Sequence, residues 1–306
     1  MSTRMTSYVI GISANGCNPN GDPQANNAPR TDINGLGIIS EYAIKHKIRL
    51  SALKDGKKCL VSNDGSKEDS IADYILEECV ANGITEDMIN DKKILEKQPD
   101  IRKRIYDIMN AAYFDFPLFG CTDSTVKLSK NQVFQFYNHK GACTLTEPTT
   151  RSPLIYETNQ LTHSILSKRV ENRDDVNTNG KESGEDSMGI YYKVRNALYI
   201  GSIDVNHNSL THTNGYAGIV NDLETYILDM FDYDNSTARP HGTIGVSHLI
   251  KFEYDTENKD KSISNKRLSE IMKLVIRDDG SIDNDLIGEL SEKNKMTVTI
   301  LRNDYQ

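Results

Sequence analysis

Tryptophan is absent from this chain of 306 residues, and phenylalanine occurs only seven times. No stretch approaches the roughly 18 consecutive apolar residues that a membrane-spanning helix needs. The five cysteines (Cys17, Cys59, Cys79, Cys121 and Cys143) are odd in number and widely spaced, without a Cys-x-x-Cys pair. That pattern suggests neither a disulfide framework nor a structural zinc site. A phosphate-binding Walker loop and a Gly-x-Ser-x-Gly nucleophile elbow are both missing. The opening Met-Ser-Thr-Arg-Met-Thr-Ser runs straight into a strand-like segment without a signal-peptide core, so a cytoplasmic, reduced protein that needs no metal, no cofactor and no membrane is expected.

Basic residues are also in deficit, 36 against 44 acidic, for a net charge of −8. Taken alone this argues against a nucleic-acid binder, which usually shows a basic footprint. The distribution is less simple. Residues 1–50 and 111–170 each carry a net +2, whereas residues 201–250 set Arg239 alone against six acids. Two segments can therefore face a polyanion even though the whole chain is acidic.

What is present is mixed α/β patterning with 37% hydrophobic and 26% charged residues, the balance of a globular protein. Residues 6–14 read as a buried strand. Asn15 to Asn34 follows, with six asparagines and three prolines (Pro19, Pro23, Pro29), and its only large apolar residue is Ile33. Three fixed φ angles and three lost donors exclude a helix here, and an irregular loop of this length is commonly functional. A helix is expected over about 35–49, with Lys45, Lys47 and Arg49 in its last turns. Helical pieces are expected at Ile71–Val80, Met88–Leu95 and Ile101–Ala112, then strands at 116–121 and 132–145. Residues 167–189 are polar. A long strand at 190–206, a helix at 215–231, a strand at 243–254, a charged linker at 255–266, a helix at 267–276 and a strand at 296–302 complete the reading. With the insertions set aside, the order is βαββαβ: a four-stranded antiparallel sheet with two helices on one face and the other face free. RNA-recognition domains use such a free face.

Several local motifs dissolve on inspection. Gly35-Leu36-Gly37 begins like a dinucleotide fingerprint, but the third position is Ser40. His207 and His212 lie in a polar turn without a third ligand and read as a surface pair. Asp22 and Asp32 could hold Mg²⁺ for phosphodiester cleavage, but Asp22 before Pro23 reads better as a turn former and Asp32 as a helix cap. Phe134, Phe136 and Tyr137 beside Lys130, His139 and Lys140 could stack on a single strand, though alternation puts Phe134 and Phe136 on one face, better suited to a core.

The stretch Asn18-Pro-Asn-Gly-Asp-Pro-Gln-Ala-Asn-Asn-Ala-Pro-Arg30-Thr-Asp32, followed by a helix ending in Lys45-His-Lys-Ile-Arg49, resembles the opening of the backbone subunits of type I CRISPR Cascade complexes, nearest to the I-B and I-C branches. Met188-Gly189, Lys193 to Tyr199, and Phe231 to Gly242 with its Ser-Thr-Ala-Arg239-Pro-His-Gly agree in order. The tail beyond 255 has no counterpart in that resemblance.

The resemblance implies an α+β fold: an RRM-like, ferredoxin-like βαββαβ palm over residues 1–254, helical fingers at 50–112, a β-hairpin thumb at about 145–189, and an extension at 255–306. It implies a non-catalytic subunit that binds guide RNA (crRNA), repeats head-to-tail along the spacer, joins other Cascade subunits and meets target DNA through the guide. The residues it assigns to RNA are Asn18, Asn20, Gln24, Asn26, Asn27, Arg30, Lys45, Lys47, Arg49, Lys130, Gln132 and Met188. The alternative is a metal-dependent RNA endonuclease of the type III kind that uses Asp22 or Asp32. A third reading is a protein–protein adaptor without RNA.

Overall fold

The computed structural model describes residues 3–61, 71–85, 88, 99–121, 126–129, 132–134, 139–163, 187–211 and 216–305. Lys130, His212, the polar segment up to residue 186, and the expected helix Met88–Leu95 beyond Met88 lie outside these residues.

Eleven residues, Arg4–Ala14, form strand β1. Tyr8, Ile10, Ile12 and Ala14 alternate onto one face and Val9 faces the other, and all five are buried. β1 lies inside a six-stranded antiparallel sheet. It pairs on one side with β6 (Ala197–Asn206) and on the other with β7 (Ile244–Asp255). Beyond β6 come β3 (Cys143–Pro153) and the short β2 (Leu36–Ile38), and beyond β7 comes β8 (Thr297–Asn303). The order is β8-β7-β1-β6-β3-β2.

Helices α1 (Glu41–Lys54) and α5 (Tyr216–Leu228) cover one face. Ile44, Ile48 and Ala52 of α1 and Val220, Leu223 and Ile227 of α5 enter one core with Tyr8, Ile10, Ile12 and Leu249. Each large side chain so buried contributes about 1.5–3 kcal/mol.

The opposite face is not free, contrary to the expectation from sequence. Val9, Ile200, Ile250 and Phe252 are sealed there by Leu268 and Met272 of α6 (Asn265–Lys273), by Val275 and Ile276, and by Leu290 of α7 (Asn284–Asn294). The C-terminal extension is thus a lid on the sheet. α7, absent from the sequence reading, is capped by Asp283, whose side chain accepts from the Leu286 amide.

α1 starts six residues later than expected. Ser40 is its N-cap, accepting from the Ala43 amide at 3.3 Å. The preceding residues are held extended because Gly37 presses on Tyr199, where a Cβ would stand 2.9 Å from the ring. Asp32 caps no helix; it accepts from the amides of Asn34 and Leu36 at 2.8 Å each and closes a turn. Because α1 runs on to Lys54, Lys45, Lys47 and Arg49 sit in its middle turns rather than at its end.

Residues after α1 form a helical insertion with its own core. α2 (Ile71–Ala81), α3 (Pro99–Ala112) and α4 (Asp115–Phe119) surround Leu60, Ile75, Cys79, Ile105, Met109 and Phe116. The expected strand at 116–121 is therefore mostly helix. Pro117 sits in the first turn, where no intrahelical donor is required.

Residues 143–153, which overlap the expected thumb, are a strand of the main sheet. Outside that sheet, β4 (Tyr156–His163) and β5 (Ser187–Val194) form one of several antiparallel pairs. The run 190–206 is two strands, broken where Asn196 takes φ 46°. His207 is not at the surface: it is buried, with Nε2 2.8 Å from the Thr6 hydroxyl.

A candidate nucleic-acid groove

The Pro-rich loop has a built interior. Gly21–Asp22 pairs with Ala28–Pro29 as a short ribbon. Asp22 caps the single turn Pro23–Ala25, accepting from the Gln24 amide at 3.0 Å. Asn26 and Asn27 close the ribbon with φ 53° and 58°, a conformation asparagine tolerates better than most residues. Two asparagines turn inward. Asn18 Nδ2 donates to the Asn27 carbonyl at 2.7 Å, and Asn20 Oδ1 accepts from the Ser40 amide at 2.8 Å, which ties the loop to the start of α1. Gln24, Asn26 and Asn27 are exposed. Arg30 is half-buried, with Nη2 3.6 Å from Asp22.

A groove of about 470 Å³ runs between this loop and three other segments. Asn18, Asn20 and Asn27 form one wall. His46 and Lys47 of α1, Ile190–Tyr192 of β5, and Arg239 form the others. The carboxylate of Asp234 receives both Lys47 Nζ, at 2.5 Å, and Arg239 Nε, at 2.6 Å. Two cations on one carboxylate leave a local charge of +1 beside the groove. Burial pushes the Lys47 ammonium pKa down despite Asp234. Burial, followed by the neighbouring Lys47, Arg49 and Arg239 charges, also pushes His46 down. The shared Asp234 carboxylate holds the Lys47 and Arg239 side chains beside the groove.

The other basic residues of α1 are placed differently. Lys45 pairs with Glu41 at 3.2 Å and does not line the groove. Arg49 is buried, bonding Asp115 at 2.7 Å with its guanidinium 5.3 Å from the Phe119 ring centre. It joins the sheet's helix layer to the helical insertion. Helical periodicity accounts for the split: Ala43, His46 and Lys47 share one face, whereas Lys45 and Arg49, four apart, share another. Gln132 and Met188 lie in described strands, but their side chains fall outside the described residues, as does all of Lys130.

Sequence reasoning left out His46, Arg239, Tyr191 and Tyr192. The signal for His46 was its i+3 spacing from Ala43, and for Arg239 its isolation in an acidic segment. Asp22 and Asp32 each spend a carboxylate oxygen on local turn amides, and those amides hold Asp32 below the usual carboxylate range. Among the described residues no group of three His, Cys, Asp or Glu side chains could hold a metal ion, and no helix is long and apolar enough to cross a membrane.

The family model of CRISPR-associated protein Cas7 matches residues 4–286, and the chain belongs to that family. No curated protein matches it in sequence. Among solved structures it is similar to a chain described as a CRISPR RNA-guided surveillance complex, pre-nicking, with a TM-score of 0.48 and 12% identity, covering 99% of this chain and 94% of that one. A second, described as a CRISPR RNA-guided surveillance complex, gives a TM-score of 0.42 and 12% identity, covering 99% and 91%.

Proposed function

We propose that this chain is a non-catalytic backbone subunit of a type I CRISPR surveillance complex. It holds guide RNA by its sugar-phosphate chain, repeats head-to-tail along the spacer, contacts the other subunits of the complex, and meets target DNA through the guide. The carrying observation is the groove in which Lys47 and Arg239 converge on Asp234 against the loop Asn18–Arg30.

Sequence-independent holding needs cations and amides rather than base-reading side chains. Asn27 supplies the rim and Lys47 and Arg239 the floor, with Gln24, Asn26 and Arg30 of the same loop as contacts outside the groove. Asn18 and Asn20 shape the loop, and Arg49 acts by positioning α1. Lys45, Lys130, Gln132 and Met188 are further contacts. A few phosphates per subunit suffice, because successive copies on one strand multiply them. The net charge of −8 is compatible with this, since only one groove has to be basic.

In this reading β7-β1-β6-β3 with α1 and α5 is an RRM-like palm, α2–α4 are fingers, and β4–β5 is the base of a thumb. RNA runs along the groove, because the palm's open face is closed by the extension. The place of action is the cytoplasm.

The test is binding of two single-stranded RNAs of unrelated sequence over a range of salt. Near-equal affinities that fall steeply with salt are expected. Absence of RNA binding, with no 260 nm absorbance co-purifying, overturns the reading. The assembled complex is expected to leave complementary RNA intact in Mg²⁺; cleavage overturns the non-catalytic assignment.

A further inference from the structure

His46 stands in the groove wall with Lys47 and Arg239, and it is exposed where Lys47 is buried. Lys47 and Arg239 are both engaged by Asp234. The His46 ring makes no hydrogen bond or ion pair among the described residues. An imidazole carries two ring nitrogens, and in the protonated form both donate. An exposed lining residue with both nitrogens unengaged is within reach of whatever occupies the groove.

The surroundings set its charge. From α1 His46 feels Lys47 and Arg49, and from the segment after α5 it feels Asp234 and Arg239. β5 contributes the phenols of Tyr191 and Tyr192, with Lys193 Nζ 5.3 Å from the Tyr191 ring centre. The loop wall contributes Asn18, Asn20 and Asn27, which carry no charge. No Asp or Glu is among the described residues that line the groove. Burial, then the Lys47 charge, outweigh Asp234 and push the ring below the ordinary 6.5, so in the free chain His46 is mostly neutral at pH 7. A phosphate in the groove reverses that balance. Its negative charge favours the imidazolium, which donates a charge-assisted hydrogen bond in return. The coupling is reciprocal: the phosphate favours the proton as much as the proton favours the phosphate.

We propose that His46 is a phosphate ligand of the groove and takes up a proton from solvent as the RNA strand binds. This rests on the RNA-holding reading given above and adds to it a linkage between strand binding and pH. Affinity is lowest where His46 is neutral in both states. It rises as pH falls through the bound-state value and levels off below the free-state value, which lies under 6.5. A ring that only stacked on a base would leave affinity insensitive to pH.

The experiment uses the full chain and a fluorescent 30-nucleotide oligouridylate, whose bases do not titrate between pH 5.5 and 7.5. Affinity is expected to be about ten-fold higher per subunit at pH 5.5, the effect of one charge-assisted hydrogen bond. The slope of log affinity against log salt is expected to steepen there by about 0.7, one further phosphate contact. Calorimetry at pH 6.5 in two buffers of different ionisation heat reads the proton uptake directly. His46→Gln keeps a polar side chain that cannot charge, and its affinity is expected to change little between the two pH values. His46→Lys carries a permanent charge and is expected to bind at pH 7.5 about as tightly as the wild type does at pH 5.5. Both variants keep every other histidine, so the difference from wild type isolates His46. Equal wild-type affinity at the two pH values overturns the inference, and so does a pH effect of the same size in His46→Gln. Failure of the wild type to bind the strand at either pH overturns the proposed function instead.

Discussion

Arg49 of α1 and Asp115 of α4 form a buried ion pair, 2.7 Å from Nε to Oδ2, with side-chain exposures of 11% and 1%. The carboxylate also accepts from the amides of Leu60, at 2.6 Å, and Val61, at 3.1 Å. One side chain therefore fastens the helical insertion to the helix layer on the sheet.

Asp115→Ala leaves a guanidinium and two amides without their acceptor. A loss of about 3–5 kcal/mol is expected, read as a lowered urea midpoint. Arg49→Ala is expected to destabilise in the same way, so any fall in its RNA affinity should disappear when the comparison is made at equal folded fraction.

Arg239→Ala removes one groove cation and leaves Lys47 paired with Asp234. RNA affinity is expected to fall by the same factor for unrelated sequences. The slope of log affinity against log salt should become shallower by about 0.7, the value for one single-strand phosphate contact. A salt titration by fluorescence anisotropy measures both.

A chain ending at residue 256 lacks α6, α7 and β8 and exposes Val9, Ile200, Ile250 and Phe252. An apolar face of that extent on a free sheet favours association. The shortened chain is expected to enter inclusion bodies, or to bind a hydrophobic dye and elute as aggregates on gel filtration.

Gly141 is a point of contact between backbones. A Cβ there would stand 2.2 Å from the Leu118 carbonyl oxygen and 2.4 Å from the Gly120 nitrogen. Neither atom belongs to a flexible side chain. Gly141→Ala is expected to cost upwards of about 3 kcal/mol, seen as a lowered melting temperature or lost soluble yield.

His248 is fully buried. Nε2 lies 2.7 Å from the Gly280 carbonyl, Nδ1 lies 3.0 Å from the Ser247 hydroxyl, and the ring stacks on Tyr305. Burial pushes its pKa below the ordinary 6.5, outweighing the Gly280 carbonyl and Asp304. The unfolded chain therefore takes up this proton more readily than the folded one. The stability is fully present above pH 6.5 and is lost as pH falls through that value toward the lower folded pKa. Urea midpoints at pH 7.5 and 5.5 should differ more in the wild type than in His248→Gln.

The sequence alone determined the apolar run that makes β1 a buried strand, the mixed α/β character of the chain, the prolines that keep residues 15–34 out of any helix, and the motif order behind the resemblance. These are local signals: side-chain period, fixed φ, missing donors. Only the tertiary structure decided which α1 cations see the groove. Lys47 and Arg49 are indistinguishable in composition, and their neighbours Asp234 and Asp115 are 187 and 66 residues away along the chain. It also decided that Leu36–Ile38 is a strand, because the close approach of Tyr199 to Gly37 is a long-range contact. The covering of the sheet's second face was hidden for the same reason. Val9 and Phe252 read as buried in any sheet, but whether RNA, solvent or the chain's own α6 and α7 lies over them depends on where a distant segment returns.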